Sequence, residues 1–144
     1  MCGIVGAISE REVTKILLEG LKRLEYRGYD SWGLAFPLED KIETFKSLDS
    51  LQSTNSGQFE LNVEFALGHT RWATHGAVNL TNCHPHLSSC GRFALVHNGV
   101  VENFQRLKNG LVEQGVEFNS DTDSEVILRL IEAQLVQQDS RSYR

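Results

Sequence analysis

No stretch of this 144-residue chain keeps an apolar run going for the roughly 18 residues that a membrane-spanning helix needs. Lys and Arg form no cluster with interleaved aromatics, and the net charge is −5, so neither a membrane nor a nucleic acid is an expected partner. The apolar start, residues 3–8, is too short for a signal-peptide core and has no basic stretch before it. Met1-Cys2 is not the Met-Gly start of a myristoylation signal. Cysteine is scarce and odd in number: Cys2, Cys83 and Cys90 make no disulfide framework. The expected setting is therefore cytoplasmic, with reduced thiols. There is no internal repeat and no clear linker, which leaves one modest domain.

What the chain does have is alternating strand and helix signals. Residues 3–9 read as a buried strand around Ile4, Val5 and Ile8. Ser9 with Glu12 has the spacing of a capping box, and Val13, Ile16, Leu17, Leu21 and Leu24 recur at helical spacing. That helix should end near Gly28. Residues 32–36 and 41–45 predict a hairpin turning through residues 37–40, and residues 47–62 a polar loop with one helical turn at most. Further strands are expected over 65–69 and 92–97. A second helix follows Phe104, Leu107, Leu111 and Val112, and residues 116–118 suggest a short extended piece. A third helix is opened by a capping box at Thr122 and Glu125 and runs through Leu135. Residues 137–144 are polar and expected to be loose. Together these elements predict an α+β layered fold.

Several polar stretches carry chemistry. Cys2 becomes the first residue if Met1 is removed, and then owns both a thiol and the free α-amine. That amine has a reference pKa of about 7.7–8.0, low enough to act as a base at neutral pH. Equally, Cys2 can be read as a small buried hydrophobe. His97-Asn98-Gly99 offers a side-chain amide beside a backbone N–H, the donors an oxyanion hole needs, or else a plain turn. Arg71 is able to hold a carboxylate bidentately, with Thr74 and His75 as neutral donors, or to make a surface ion pair while Trp72 packs in the core. Asp123 can accept from an ammonium or simply match a helix end. Cys83, His84, His86 and Cys90 lie close together and set up a rival zinc reading, against which their cramped spacing counts.

Taken together, CGIVG at 2–6, LEYRGYDS at 24–31, HTRWATHG at 69–76, HPH at 84–86, HNG at 97–99 and TDSEV at 122–126 resemble, in order, the glutaminase domain of class II glutamine amidotransferases. EYRGYDS is most similar to the amino-sugar-forming branch. The resemblance implies an N-terminal-nucleophile hydrolase with an αββα sandwich, and a chain that forms the N-terminal portion of the domain (residues 1–144), incomplete on its C-terminal side. It implies that Cys2 attacks the amide of L-glutamine and forms a γ-glutamyl thioester, with Asn98 and Gly99 as the oxyanion hole. Arg71, Thr74 and His75 would hold the substrate carboxylate, Asp123 the α-ammonium, Trp72 the pocket wall, and Arg27 and Gly28 the ground beside the nucleophile. No cofactor or metal is implied. The ammonia acceptor would be a sugar-isomerase (synthase) domain that this chain lacks, and the full-length enzyme would be a homodimer. Trp32 departs from the family pattern, which has a small residue after YDS; a change of packing rather than chemistry is expected. The alternative is a fragment or binding module that holds glutamine or a partner without turnover.

Overall fold

The computed structural model describes residues 1–54, 59, 63–74 and 76–142, the stretch 136–142 as helix backbone only. Four antiparallel strands form the main sheet: β1 (Gly3–Ile8), β2 (Ser31–Leu38), β3 (Lys41–Ser47) and β4 (Phe65–Arg71), in the order β1-β4-β2-β3. The register pairs Gly3 with Thr70 and Ser31 with Arg71, so one end of the sheet gathers the chain's beginning, the start of β2 and the end of β4. That end carries the site.

Helix α1 (Val13–Arg23) covers one face. Its Val13, Leu17, Leu18 and Leu21 are wholly buried against Trp32, Leu34, Phe36, Leu51, Phe59 and Ala66. Each such side chain contributes about 1.5–3 kcal/mol by leaving water. The other face of the sheet carries a two-stranded ladder, β5 (His86–Leu87) with β6 (Ala94–Leu95). Gly33 allows this close approach: a Cβ there would lie 2.4 Å from the His84 carbonyl oxygen. Beyond the ladder pack α2 (Phe104–Glu113) and α3 (Asp123–Ser142). The layers thus run helix, sheet, sheet, helix, an α+β arrangement whose second sheet has two strands among the described residues.

Trp32 fills the core rather than the site. It is buried, its ring centroid lies 5.3 Å from that of Phe45, and its Nε1 donates to the Asp49 carbonyl at 2.9 Å. The departure at this position is therefore one of packing.

Some local expectations change. Ser9 does not cap α1: its amide extends the pairing with β4 by donating to Glu64 O at 2.8 Å, and its hydroxyl accepts from Arg11 N. The cap is Glu12, whose carboxylate accepts from Lys15 N. The hairpin turn shrinks to Glu39-Asp40, with Glu39 at φ 53°, because Pro37 stays in β2 where β4 no longer pairs alongside. The strand expected over 92–97 keeps only two paired residues, while the last residue of HPH opens an unexpected two-residue strand, His86–Leu87. Residues 116–118 join no ladder. Helix α3 continues through Ser142, past the point where polar composition suggested a loose end. Part of the expected loop over 47–62 lies outside the described residues; a 3-10 turn is present at Leu51–Ser53.

Candidate active site

Strand β1 begins at Gly3, so Cys2 is held at the end of the sheet rather than left to fray. Strand β4 ends at Arg71, and the turn after it carries Trp72 and Thr74. The segment after β6 carries His97, Asn98 and Gly99, and α3 begins at Asp123. These pieces line one cavity of about 570 Å³, together with Met1 and Arg27.

The Cys2 Sγ accepts from the Trp72 amide at 3.2 Å. Asn98 Nδ2 donates to the Cys2 carbonyl at 3.3 Å, and its Oδ1 lies 2.8 Å from His69 Nε2. The expected amide donor therefore stands beside the expected nucleophile, with Gly99 exposed next to it. The α-amine belongs to Met1 in this chain, and it donates to the carbonyls of Arg27 at 3.0 Å and Gly28 at 3.4 Å. Gly28 does not line the cavity. Its φ of 75° suits glycine, and a Cβ there would lie 2.8 Å from the Trp72 ring.

Two opposite charges are built into the cavity wall. Arg71 is buried and donates from Nη1 to Ala77 O at 3.3 Å. Asp123 is also buried, in the first turn of α3, and its Oδ2 accepts from the Val101 amide at 2.6 Å. A cation and an anion fixed in one pocket suit a ligand carrying both signs at separate ends. Trp72 is half-exposed over the mouth, and Thr74 is exposed beside it. His75 lies outside the described residues.

Behind Asn98 stands a wall of histidines. His69 and His84 stack with centroids 4.4 Å apart, and His84 and His86 follow at 4.6 Å. Burial pushes His69 down to about 4 and His86 down to about 3. It lowers His84 further still, with the neighbouring His69 and His86 adding to the effect. All three are neutral at ordinary pH. The zinc reading finds no donor set. Cys83 Sγ donates to Asn79 O, His86 Nε2 lies 2.7 Å from Thr122 Oγ1, and Cys90 sits exposed beside Ser88. Among the described residues no three His, Cys, Asp or Glu side chains converge on a common point.

Two contributors went unassigned in the sequence reading. Asp30 ties the start of β2 to the end of β4: its amide donates to Arg71 O at 2.8 Å, and its carboxylate accepts from the Ala73 amide and from Ser31 Oγ. It thereby fixes the turn bearing Trp72. His69 holds Asn98 from behind. Both lie inside quoted stretches, Asp30 just before β2 and His69 within β4.

The glutamine amidotransferase domain model matches residues 46–138. Glutamine–fructose-6-phosphate aminotransferase [isomerizing] of Pyrococcus horikoshii is 50% identical over 137 residues, covering 94% of this chain and 23% of that protein. The enzymes of the same name from Bacillus subtilis and Staphylococcus aureus are 50% and 51% identical, each over 92% of this chain and 22% of theirs. The chain thus spans less than a quarter of the length of these curated relatives. Among solved structures, glutamine phosphoribosylpyrophosphate amidotransferase from B. subtilis, complexed with ADP and GMP, matches with a TM-score of 0.75 at 28% identity. A structure described as the allosteric regulatory enzyme of purine biosynthesis matches at 0.78 and 29%. Each match covers 92% of this chain and 29% of the other. With its fold and about two thirds of its residues matched in this way, the chain belongs to the glutamine amidotransferase domain family.

Proposed function

We propose that this chain, once Met1 is removed, hydrolyses the side-chain amide of L-glutamine to glutamate and ammonia through a thioester on Cys2. The observation that carries this reading is the convergence of Cys2, Asn98, Arg71 and Asp123 on one cavity. In the proposed reaction the Cys2 α-amine takes the thiol proton, and sulfur adds to the amide carbon. Asn98 Nδ2 and the Gly99 N–H receive the negative oxygen. The C–N bond then breaks, the protonated amine returns its proton to the leaving nitrogen, and ammonia departs. Water, deprotonated by the same amine, cleaves the thioester to glutamate and restores the thiol. Arg71 holds the α-carboxylate with Thr74 and His75, and Asp123 holds the α-ammonium; fixing both ends lowers the entropic cost of attack. Trp72 covers the mouth, Arg27 and Gly28 seat the amine, and no cofactor enters.

By analogy with the relatives, the ammonia serves a synthase domain that acts on fructose 6-phosphate, within a homodimeric cytoplasmic enzyme of amino-sugar synthesis, and residues 1–144 are the N-terminal portion of its glutaminase domain. No helix among the described residues is long and apolar enough to cross a membrane. The test is to confirm loss of Met1 by intact mass and to measure glutamate release from glutamine. Turnover absent in Cys2→Ala is the expected result. A processed, folded chain that binds glutamine without turnover would instead favour the binding-module reading.

A further inference from the structure

Asn98 carries a carboxamide, whose two ends are nearly equal in size and whose terminal torsion is broadly two-fold. Shape alone does not decide whether nitrogen or oxygen faces the cavity. A hydrogen-bond donor placed at one end does decide. His69, wholly buried on β4, puts Nε2 2.8 Å from Asn98 Oδ1. An amide oxygen only accepts, so the ring nitrogen facing it carries the hydrogen. Burial keeps the ring uncharged down to about pH 4, so a single tautomer serves. The ring is itself braced. His84 stacks on it, and His84 Nδ1 accepts from the His97 amide at 3.4 Å, one residue before Asn98. His97 Nδ1 lies 3.0 Å from Ser124 Oγ, which fixes the segment from its other side.

We infer that His69 is the positioning residue of the oxyanion site: its Nε2–H holds Asn98 Oδ1 and so turns Asn98 Nδ2 toward Cys2. The Asn98 donor bonded to the Cys2 carbonyl at 3.3 Å is the outcome of that choice. A flipped amide would set a carbonyl oxygen against the developing oxyanion. The catalytic part of this inference rests on the glutaminase reading above; the hydrogen-bond part does not.

His69→Leu removes the donor, while His69→Gln keeps an N–H at nearly the same reach. In the processed chain, with folding checked by cooperative unfolding, His69→Leu is expected to lower kcat about 10- to 100-fold with KM within about threefold, and His69→Gln to recover most of the turnover. Equal losses in both variants, a change confined to KM, or wild-type turnover in His69→Leu overturns the inference. If the wild type hydrolyses no glutamine beyond the Cys2→Ala background, the glutaminase reading fails separately. The His69 assignment is then read by nitrogen NMR. An Nε2–H tautomer and one slowly exchanging pair of Asn98 amide protons, lost in His69→Leu, support it; an Nδ1–H tautomer, or an Asn98 signal indifferent to the substitution, refutes it.

Discussion

Asn98→Ala deletes a donor aimed at the place where charge develops, so kcat should fall about 10²–10³-fold while KM stays nearly constant, as steady-state glutamine hydrolysis would report. Asp123→Asn acts on the other axis. The amide oxygen can still accept from the Val101 N–H, but the negative charge is gone, and KM for glutamine should rise about 10- to 100-fold, the worth of one charged hydrogen bond. Cys2, Asn98 and Asp123 were legible in the sequence because each stands at a landmark: the chain's beginning, an Asn-Gly step, the first turn of a helix. Asp30 and His69 were not, because their work is to hold partners far off in sequence. His69 meets Asn98 across 29 positions, and Asp30 meets Ala73 across 43. Local pattern carries no trace of such pairs.

Helix α3 is pinned by a buried charge network. Glu125 accepts from the amides of Asn119 and Ser120 and bonds Arg129 at 2.7 Å; Arg129 in turn reaches Ser89 Oγ and Glu132. Those amides and the Arg129 guanidinium hold the Glu125 carboxyl below its usual range despite the opposing effect of burial. Arg129→Ala would strand that carboxylate and cost about 3–5 kcal/mol, whereas Glu125→Leu with Arg129→Leu should cost clearly less. Urea midpoints followed by circular dichroism give the comparison. This network explains why TDSEV starts a helix only half as expected. Thr122 Oγ1 accepts from the Glu125 amide, but the Glu125 carboxylate is drawn to Ser120 and Arg129 instead of closing the capping box. The opposite end of α3 was misread for a plainer reason: polar residues signal exposure, and exposure does not stop a helix. At α1 pairing with β4 claimed the expected cap, Ser9, for the sheet, and its capping-box partner Glu12 became the cap instead.

The molecule as a whole is built around neutral histidines, and this sets its response to acid. In the folded state His69 and His86 titrate near 4 and 3, and His84 is lowered in the same direction; in the unfolded chain all three take up protons below about 6.5. The unfolded state therefore binds more protons as pH falls. The contribution of these histidines should be flat above pH 7, and stability should decline from about 6.5 toward 4, each histidine contributing up to about 1.4 kcal/mol per pH unit. Denaturation midpoints measured across that range test the sign, and a midpoint that rose on acidification would contradict it. The layered α+β class was legible from alternating signals. The order β1-β4-β2-β3 was not, since it inserts β4 between strands far earlier in the chain, a choice made by side chains on two faces at once. The Met1 amine, bonded to the Arg27 and Gly28 carbonyls, adds a consequence in time. Folding secures the very end that an aminopeptidase must pull into its own site, so maturation and folding compete for the same residues. Precursor offered to methionine aminopeptidase during refolding should lose its methionine faster than precursor folded beforehand, as intact mass followed over minutes would record. The proposed enzyme would then owe its activity to which event comes first.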